Sequence, residues 1–232
     1  MKKLIAILIL TSILFSCNSE KGNMIVTGKI KGLHKGMLYL EKVKDTLLVK
    51  VDSMLLDGKD SFTLSDNVES PQIYFLSLSK TDKILQFFGE KGKINIISNL
   101  ETFGFSPMIT GSKNHELMVA YKETMSKFNN QQLDLLKEKF DAAKLKQTQK
   151  VAQIEKKINN IPRRKYIYTV NYAVNNADYE IAPYLALSEI YDANPRFLDT
   201  IVKSLSPKVS KSLYGKKLIE YLKEVKAKNT DK

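Results

Sequence analysis

Leu14-Phe15-Ser16-Cys17 sets the chain's only cysteine behind a small residue, at the end of an apolar run from Leu4 to Phe15 that follows Lys2 and Lys3. A thiol in that setting can be alkylated by a diacylglycerol. A peptidase then cuts before it, and the cysteine becomes an acylated N-terminus. The apolar run is 12 residues long, whereas a membrane-spanning helix needs roughly 20 to cross a ~30 Å hydrocarbon core. Polar Asn18, Ser19 and Glu20 follow at once, which fits a cleaved leader. The segments expected are a lipoprotein signal peptide over 1–16 and a lipidated tether over 17–23. Phe15 is bulkier than its position usually carries. Two or more acyl chains, at ~0.8 kcal/mol per buried methylene, hold a protein stably on a bilayer. The competing readings are an ordinary secretory signal with an incidental cysteine, or a cysteine buried in a core. With Cys17 the sole cysteine, the chain can form no internal disulfide, CxxC pair or cysteine-based zinc site.

Other chemistry is sparse. The histidines are His34, in the turn Gly32-Leu33-His34-Lys35-Gly36, and His115, in the first turn of a predicted helix. Two isolated histidines without thiolates make a poor zinc site. No Gly-x-Ser-x-Gly elbow, dinucleotide fingerprint or Walker loop occurs, so nucleophile-elbow and phosphate-cradle chemistries have no motif support. Asp45, Asp52, Asp57, Asp60 and Asp66 lack calcium-loop spacing and read as turn and cap residues. Tyr166, Tyr168, Tyr172, Tyr179, Tyr184 and Tyr191 are dense enough for a sugar or peptide platform, although their helical spacing favours packing in a core. The site residue expected is therefore Cys17 alone, as a lipidation site. No catalytic, metal or cofactor-binding residue is expected, and no cofactor beyond the acyl modification on Cys17.

Composition narrows the partners. The formal charge is +12, from 37 basic and 25 acidic residues. Only Arg163, Arg164 and Arg196 are arginines. Nucleic-acid readers use arginine for bidentate contacts and interleave aromatics for stacking, so no nucleic-acid partner is expected. Asn18–Asn23 can span about 20 Å when extended, which would hold the fold close to the bilayer. There its lysines could meet anionic headgroups, at ~1 kcal/mol each, or could simply form a solvated surface.

Two patterns must position these residues. From Met24 to Thr110, short β-branched and alternating runs recur between Gly, Asp and Pro turns, among them Met24–Ile30, Met37–Leu40, Leu47–Leu56, Phe62–Leu64, Ile73–Leu78, Ile84–Phe88 and Ile94–Ile97. This spacing predicts an antiparallel sandwich or partial barrel. At Gly111-Ser112 the period becomes helical, with Ser112 as N-cap and Glu116 in the first turn. Leu117, Tyr121, Met125 and Phe128 form a stripe that Leu135, Leu136, Phe140 and Ala143 continue, and Val151, Ile154, Ile158 and Ile161 form a second. Pro162 is expected to start another helix. More helices are predicted over Ala182–Tyr191, Arg196–Ser204 and Lys211–Lys226. The lysine- and glutamate-rich stretch Leu133–Lys165 reads as a protruding hairpin or as the solvated face of a bundle. The fold class is α+β, with a β-rich domain over 24–110, an all-helical domain over 111–228 and a disordered tail over 229–232.

The order of landmarks adds a resemblance. Gly28-Lys29-Ile30-Lys31-Gly32-Leu33, Gly36-Met37-Leu38-Tyr39-Leu40, Val51-Asp52-Ser53, Asp57-Gly58, Phe62-Thr63-Leu64, Pro71–Leu76, Gly92-Lys93-Ile94-Asn95-Ile96 and Thr110-Gly111-Ser112 follow one another. Asn194-Pro195, Leu205-Ser206-Pro207 and Tyr214-Gly215-Lys216-Lys217-Leu218 continue the series. The chain thereby resembles Gram-negative envelope lipoproteins of the TlpA/thioredoxin-like kind. In these a β-rich N-terminal domain of unknown function (domain of unknown function 4369) precedes helices and then a thioredoxin domain. The family's redox work lies in that last domain. This sequence reaches Lys232 without a CxxC pair, so the resemblance carries over a fold and an envelope location but no catalytic residue.

The expectation is a lipid-anchored envelope protein, on the periplasmic face of the outer membrane, acting as a non-enzymatic binding or interaction module. Its partners would be the membrane, through the anchor, and an envelope protein. Two alternatives stand beside it: an accessory partner of a thioredoxin-like thiol–disulfide system, and a hydrolase with an unrecognised site.

Overall fold

The computed structural model describes residues 22–230; Cys17 and the leader lie outside them, as do residues 231–232. The chain forms two compact units. One contains the chain up to Val68 with Phe75–Leu85 and Lys91–Met108, and the other contains Glu69–Tyr74, Gln86–Glu90 and the chain from Ile109 onward.

Eight strands are described: β1 (Met24–Lys31), β2 (Lys35–Lys44), β3 (Leu47–Asp57), β4 (Ser61–Asp66), β5 (Gln72–Leu78), β6 (Ile84–Gly89), β7 (Gly92–Asn99) and β8 (Met108–Thr110). They form two four-stranded sheets, ordered β4-β1-β7-β8 and β3-β2-β5-β6. In the first unit the alternating residues Met24, Val26 and Ile30 on β1, Leu38 and Leu40 on β2, Leu64 on β4 and Ile94 and Ile96 on β7 are all buried. That period of two is the signal read from the sequence.

Side chains stitch edge strand β4 to β3 and β2. A register shift between Leu40 and Glu41 marks a bulge in the β2–β3 ladder. The Asp52 carboxylate beside it accepts hydrogen bonds from the backbone N–H groups of Ser53 and Ser65, both at 2.7 Å. Lys42 pairs with Asp66 at 2.5 Å. These contacts satisfy edge groups that would otherwise template pairing with another chain.

The pairing is not antiparallel throughout. β1 pairs antiparallel with β4 but parallel with β7, Met24 opposite Gly92 and Lys31 opposite Asn99. A hairpin forces antiparallel pairing only on strands joined by a short turn. β1 and β7 are separated by the whole second sheet, so nothing local dictated their sense. At Gly28 the approach is close, and a Cβ there would lie 1.9 Å from the Ile96 carbonyl oxygen, so only glycine fits.

The Ser98 hydroxyl on β7 is buried without a hydrogen-bond partner among the described residues. Such a group loses its water contacts and gains nothing. Ser98→Ala is therefore expected to raise the unfolding free energy by about 1 kcal/mol. A higher urea midpoint at unchanged slope is the readout.

The second unit carries α1 (Lys113–Lys144), α2 (Thr148–Asn175), α3 (Ile181–Glu189), α4 (Pro195–Ser204), α5 (Pro207–Ser210) and α6 (Leu213–Thr230). Ser112 caps α1 as expected, accepting from the His115 N–H at 3.1 Å. Asn194 caps α4 through the Arg196 N–H. A core of Val170, Ala173, Ala182, Ala186, Leu198 and Leu218, among others, joins α2, α3, α4 and α6.

One expectation fails here. Pro162 does not start a helix; it lies inside α2. An interior proline costs about 3 kcal/mol. The buried series Ile154, Ile161, Thr169 and Ala173 nevertheless keeps one helical phase across it, so a break would forfeit the packing of one half. The stretch of α1 read as protruding or solvated carries much of its apolar stripe exposed. Leu136 is 45% and Phe140 61% exposed, Ala143 is exposed, and Ala142 is buried instead. From Leu133 to Ile158 the two helices pack mainly on each other, with Lys139–Glu155 and Lys150–Glu138 pairs across the seam. A two-helix hairpin buries one narrow seam, which leaves a second apolar stripe exposed.

Candidate functional site

The outward face of the β3-β2-β5-β6 sheet builds the more ligand-like of two polar clusters. Leu38 and Leu40 point into the core, so alternation turns Tyr39 and Glu41 the other way. The ladder sets Lys50 opposite Glu41, and β5 brings Ser77. With Lys80 and Asp82 they line an open groove of about 550 Å³. Glu41 is only 7% exposed, and the Ser77 hydroxyl donates to its carboxylate at 2.7 Å. The Lys50 ammonium lies 3.9 Å from the centre of the Tyr39 ring, a cation–π contact that aims it along the groove. Two carboxylates, two ammonium groups and an aromatic face in one groove can hold a polar ligand. Nucleophilic catalysis would further require a base for Ser77 that is itself oriented by a third group.

The second cluster closes the N-terminal ends of α1 and α3. Glu90 accepts from the Lys113 N–H and, through its other oxygen, from the Asn114 side chain at 2.6 Å. A carboxylate here also favours the positive end of the helix dipole. The same Asn114 amide donates to Glu180 at 3.3 Å, and its oxygen accepts from the Ile181 N–H at 2.9 Å. Asn114 and Glu180 are each 2% exposed.

His115 sits beside them, and its Nδ1 accepts from the Phe88 N–H at 3.4 Å. That bond places the proton of the neutral ring on Nε2. Burial pushes the imidazole down to about 4; the Lys122 ammonium adds to the shift and Glu116 opposes it. A base that weak is poorly matched to proton transfer near neutral pH. His115 is a fixed, neutral member of the helix start.

The remaining candidates from the sequence lie apart. His34 is exposed, and its carbonyl accepts from the Gly58 N–H. Asp45 occupies a turn at φ 58°, Asp60 pairs with Lys29, and Asp52 and Asp66 stitch the β edge. No group of three or more metal-ligating side chains forms among the described residues.

The tyrosines separate too. Tyr168 and Tyr172 pack with Tyr121 between α1 and α2. Tyr184 packs with Tyr214 around Phe88, where burial pushes the Tyr214 phenol up to about 12. Tyr166 donates to Asp192, and Tyr191 is 56% exposed. With Tyr179 also exposed, the six build two separate aromatic clusters and no common platform.

Sequence reading missed Glu41, Ser77, Glu90, Asn114 and Glu180. Glu90 had the one visible signal, a carboxylate in a tight Gly89–Gly92 turn. No local pattern tells that a glutamate within a strand will be buried.

Neither a curated protein nor a solved structure matches the chain. Residues 24–118, the β-rich region with the first turns of α1, match the family model described as Domain of unknown function (DUF4369).

Proposed function

We propose that this protein is a cell-envelope lipoprotein, held on the periplasmic face of the outer membrane by acyl chains on Cys17, and that it acts as a non-enzymatic binding or interaction module. The leader carries the reading: Lys2 and Lys3, an apolar run too short to span, and Ser16-Cys17 at its end. The groove around Glu41 supports a binding role by offering charge and hydroxyl on rigid strands. The alternative of an accessory partner for a thioredoxin-like system draws on the DUF4369 match and the landmarks shared with that lipoprotein family. The hydrolase alternative is weakened by His115, which is committed to the Phe88 backbone.

Cys17→Ala tests the anchor. Wild type from the native host is expected in the membrane fraction, with a diacylglycerol thioether on Cys17 by mass spectrometry and the leader removed. Cys17→Ala is expected to leave that fraction. A variant that stays membrane-bound, or an unmodified thiol on native material, would refute the anchor.

A further inference from the structure

The β2–β3 hairpin closes through Asp45 and Thr46, with Lys44 opposite Leu47 and Val43 opposite Leu48. Its end is apolar on both faces: Val43 is 42%, Leu48 48% and Leu47 69% exposed. Three large apolar side chains around one turn make a contiguous exposed patch rather than scattered residues.

The ladders fix where this tip points. Lys42 pairs with Asp66, and Asp66 sits opposite Met24. Asn23 is tied beside them, its side chain accepting from the Val68 N–H at 2.8 Å. The hairpin thus runs two residues past the end of β1 at which the chain arrives from Cys17, a projection of about 7 Å. Gly92 also lies opposite Met24, so exposed Lys91 and Lys93 belong to the same end. With Lys44 they give it three ammonium groups, against Asp45 as the tip's own acid. Only Asn18–Lys21 separate Cys17 from Gly22, a reach of at most about 14 Å for those four residues.

We propose that the tip is a second membrane contact: Val43, Leu47 and Leu48 enter the interfacial layer of the bilayer that holds Cys17, while Lys44, Lys91 and Lys93 meet anionic headgroups. This rests on the anchor reading and adds an orientation to it. One tether leaves a body free to swivel. A second, apolar contact at the end where the described chain begins fixes which end faces the lipid. Charge complementarity selects an anionic surface, since each well-placed lysine is worth about a fivefold gain in partitioning.

The chain contains no tryptophan, so Leu47→Trp installs a single reporter at the tip. The acylated protein carrying it would be reconstituted into phosphatidylethanolamine–phosphatidylglycerol vesicles, with and without brominated acyl chains. The indole emission is expected to shift to the blue and to be quenched by the brominated lipid. With Lys44, Lys91 and Lys93 replaced by Glu, the quenching is expected to fall severalfold. Leu48→Trp, at the cross-strand partner of Val43, repeats the measurement independently. Protein that floats with vesicles while both reporters keep water-exposed, unquenched emission overturns the inference and leaves the anchor standing. Protein that does not float overturns the anchor and the inference with it. A blue shift that grows with protein concentration in the absence of lipid assigns the tip to a second copy of the chain and also overturns it.

Discussion

Asn114→Leu is expected to lower the unfolding free energy by about 3 kcal/mol, through lost polar partners alone. Leucine is close to asparagine in size, so no large cavity opens. Three hydrogen bonds disappear: those donated to Glu90 and Glu180 and the one accepted from the Ile181 N–H. Two of the orphaned groups matter most. Glu180 is 2% exposed, and a buried carboxylate that loses a donor is costly. The Ile181 N–H opens α3, where no earlier helical carbonyl can replace the lost acceptor. Urea unfolding at neutral pH gives the readout, with a lower midpoint and an unchanged slope. A loss well under 1 kcal/mol would mean that water replaces Asn114 and that the network does not hold the two helix starts together.

A comparable effect is expected from acid, and His115 sets its sign. Burial holds the imidazole at about 4 in the folded chain, against 6.5 when unfolded. Between those values the unfolded state binds more protons, so stability rises with pH across the window. The contribution is complete above pH 6.5 and is lost as the pH falls to about 4, up to a limit of about 3 kcal/mol. His115→Asn keeps an acceptor for the Phe88 N–H but does not titrate there. The difference between wild type and variant, followed by urea midpoints from pH 7.5 to 4, isolates the histidine from carboxylates that titrate lower in the same range. Parallel curves would show that His115 is not held neutral by the fold.

Local chemistry was legible in the sequence where one residue decides it. The β-branched run Met24–Ile30, the alternation of Phe62-Thr63-Leu64 and the Ser112 cap each require only a few neighbours, and each stands in the structure. What remained hidden is non-local. The parallel pairing of β1 with β7 joins strands sixty-eight residues apart, with no turn between them to set its sense. The continuity of α2 through Pro162 depends on packing on both sides of it. The exposure of Leu136 and Phe140 depends on which side of α1 meets α2. The polar clusters were the least legible, because Asn114 joins carboxylates 24 residues before it and 66 after it. Helical and strand periodicity can say which side of an element is apolar, but not which distant glutamate will arrive to face it.

The place of β1 in its sheet bears on how the chain assembles. Its parallel neighbour starts sixty-eight residues later, Gly92 standing across from Met24. A growing chain must therefore make six further strands before the first one made is flanked on both sides. Closing so wide a loop is slow compared with forming helices or hairpins. Until then an apolar strand waits with one edge open, which is the period of greatest risk of clumping. Residues 24–31 are thus the segment whose shielding during that wait guards most directly against such clumping.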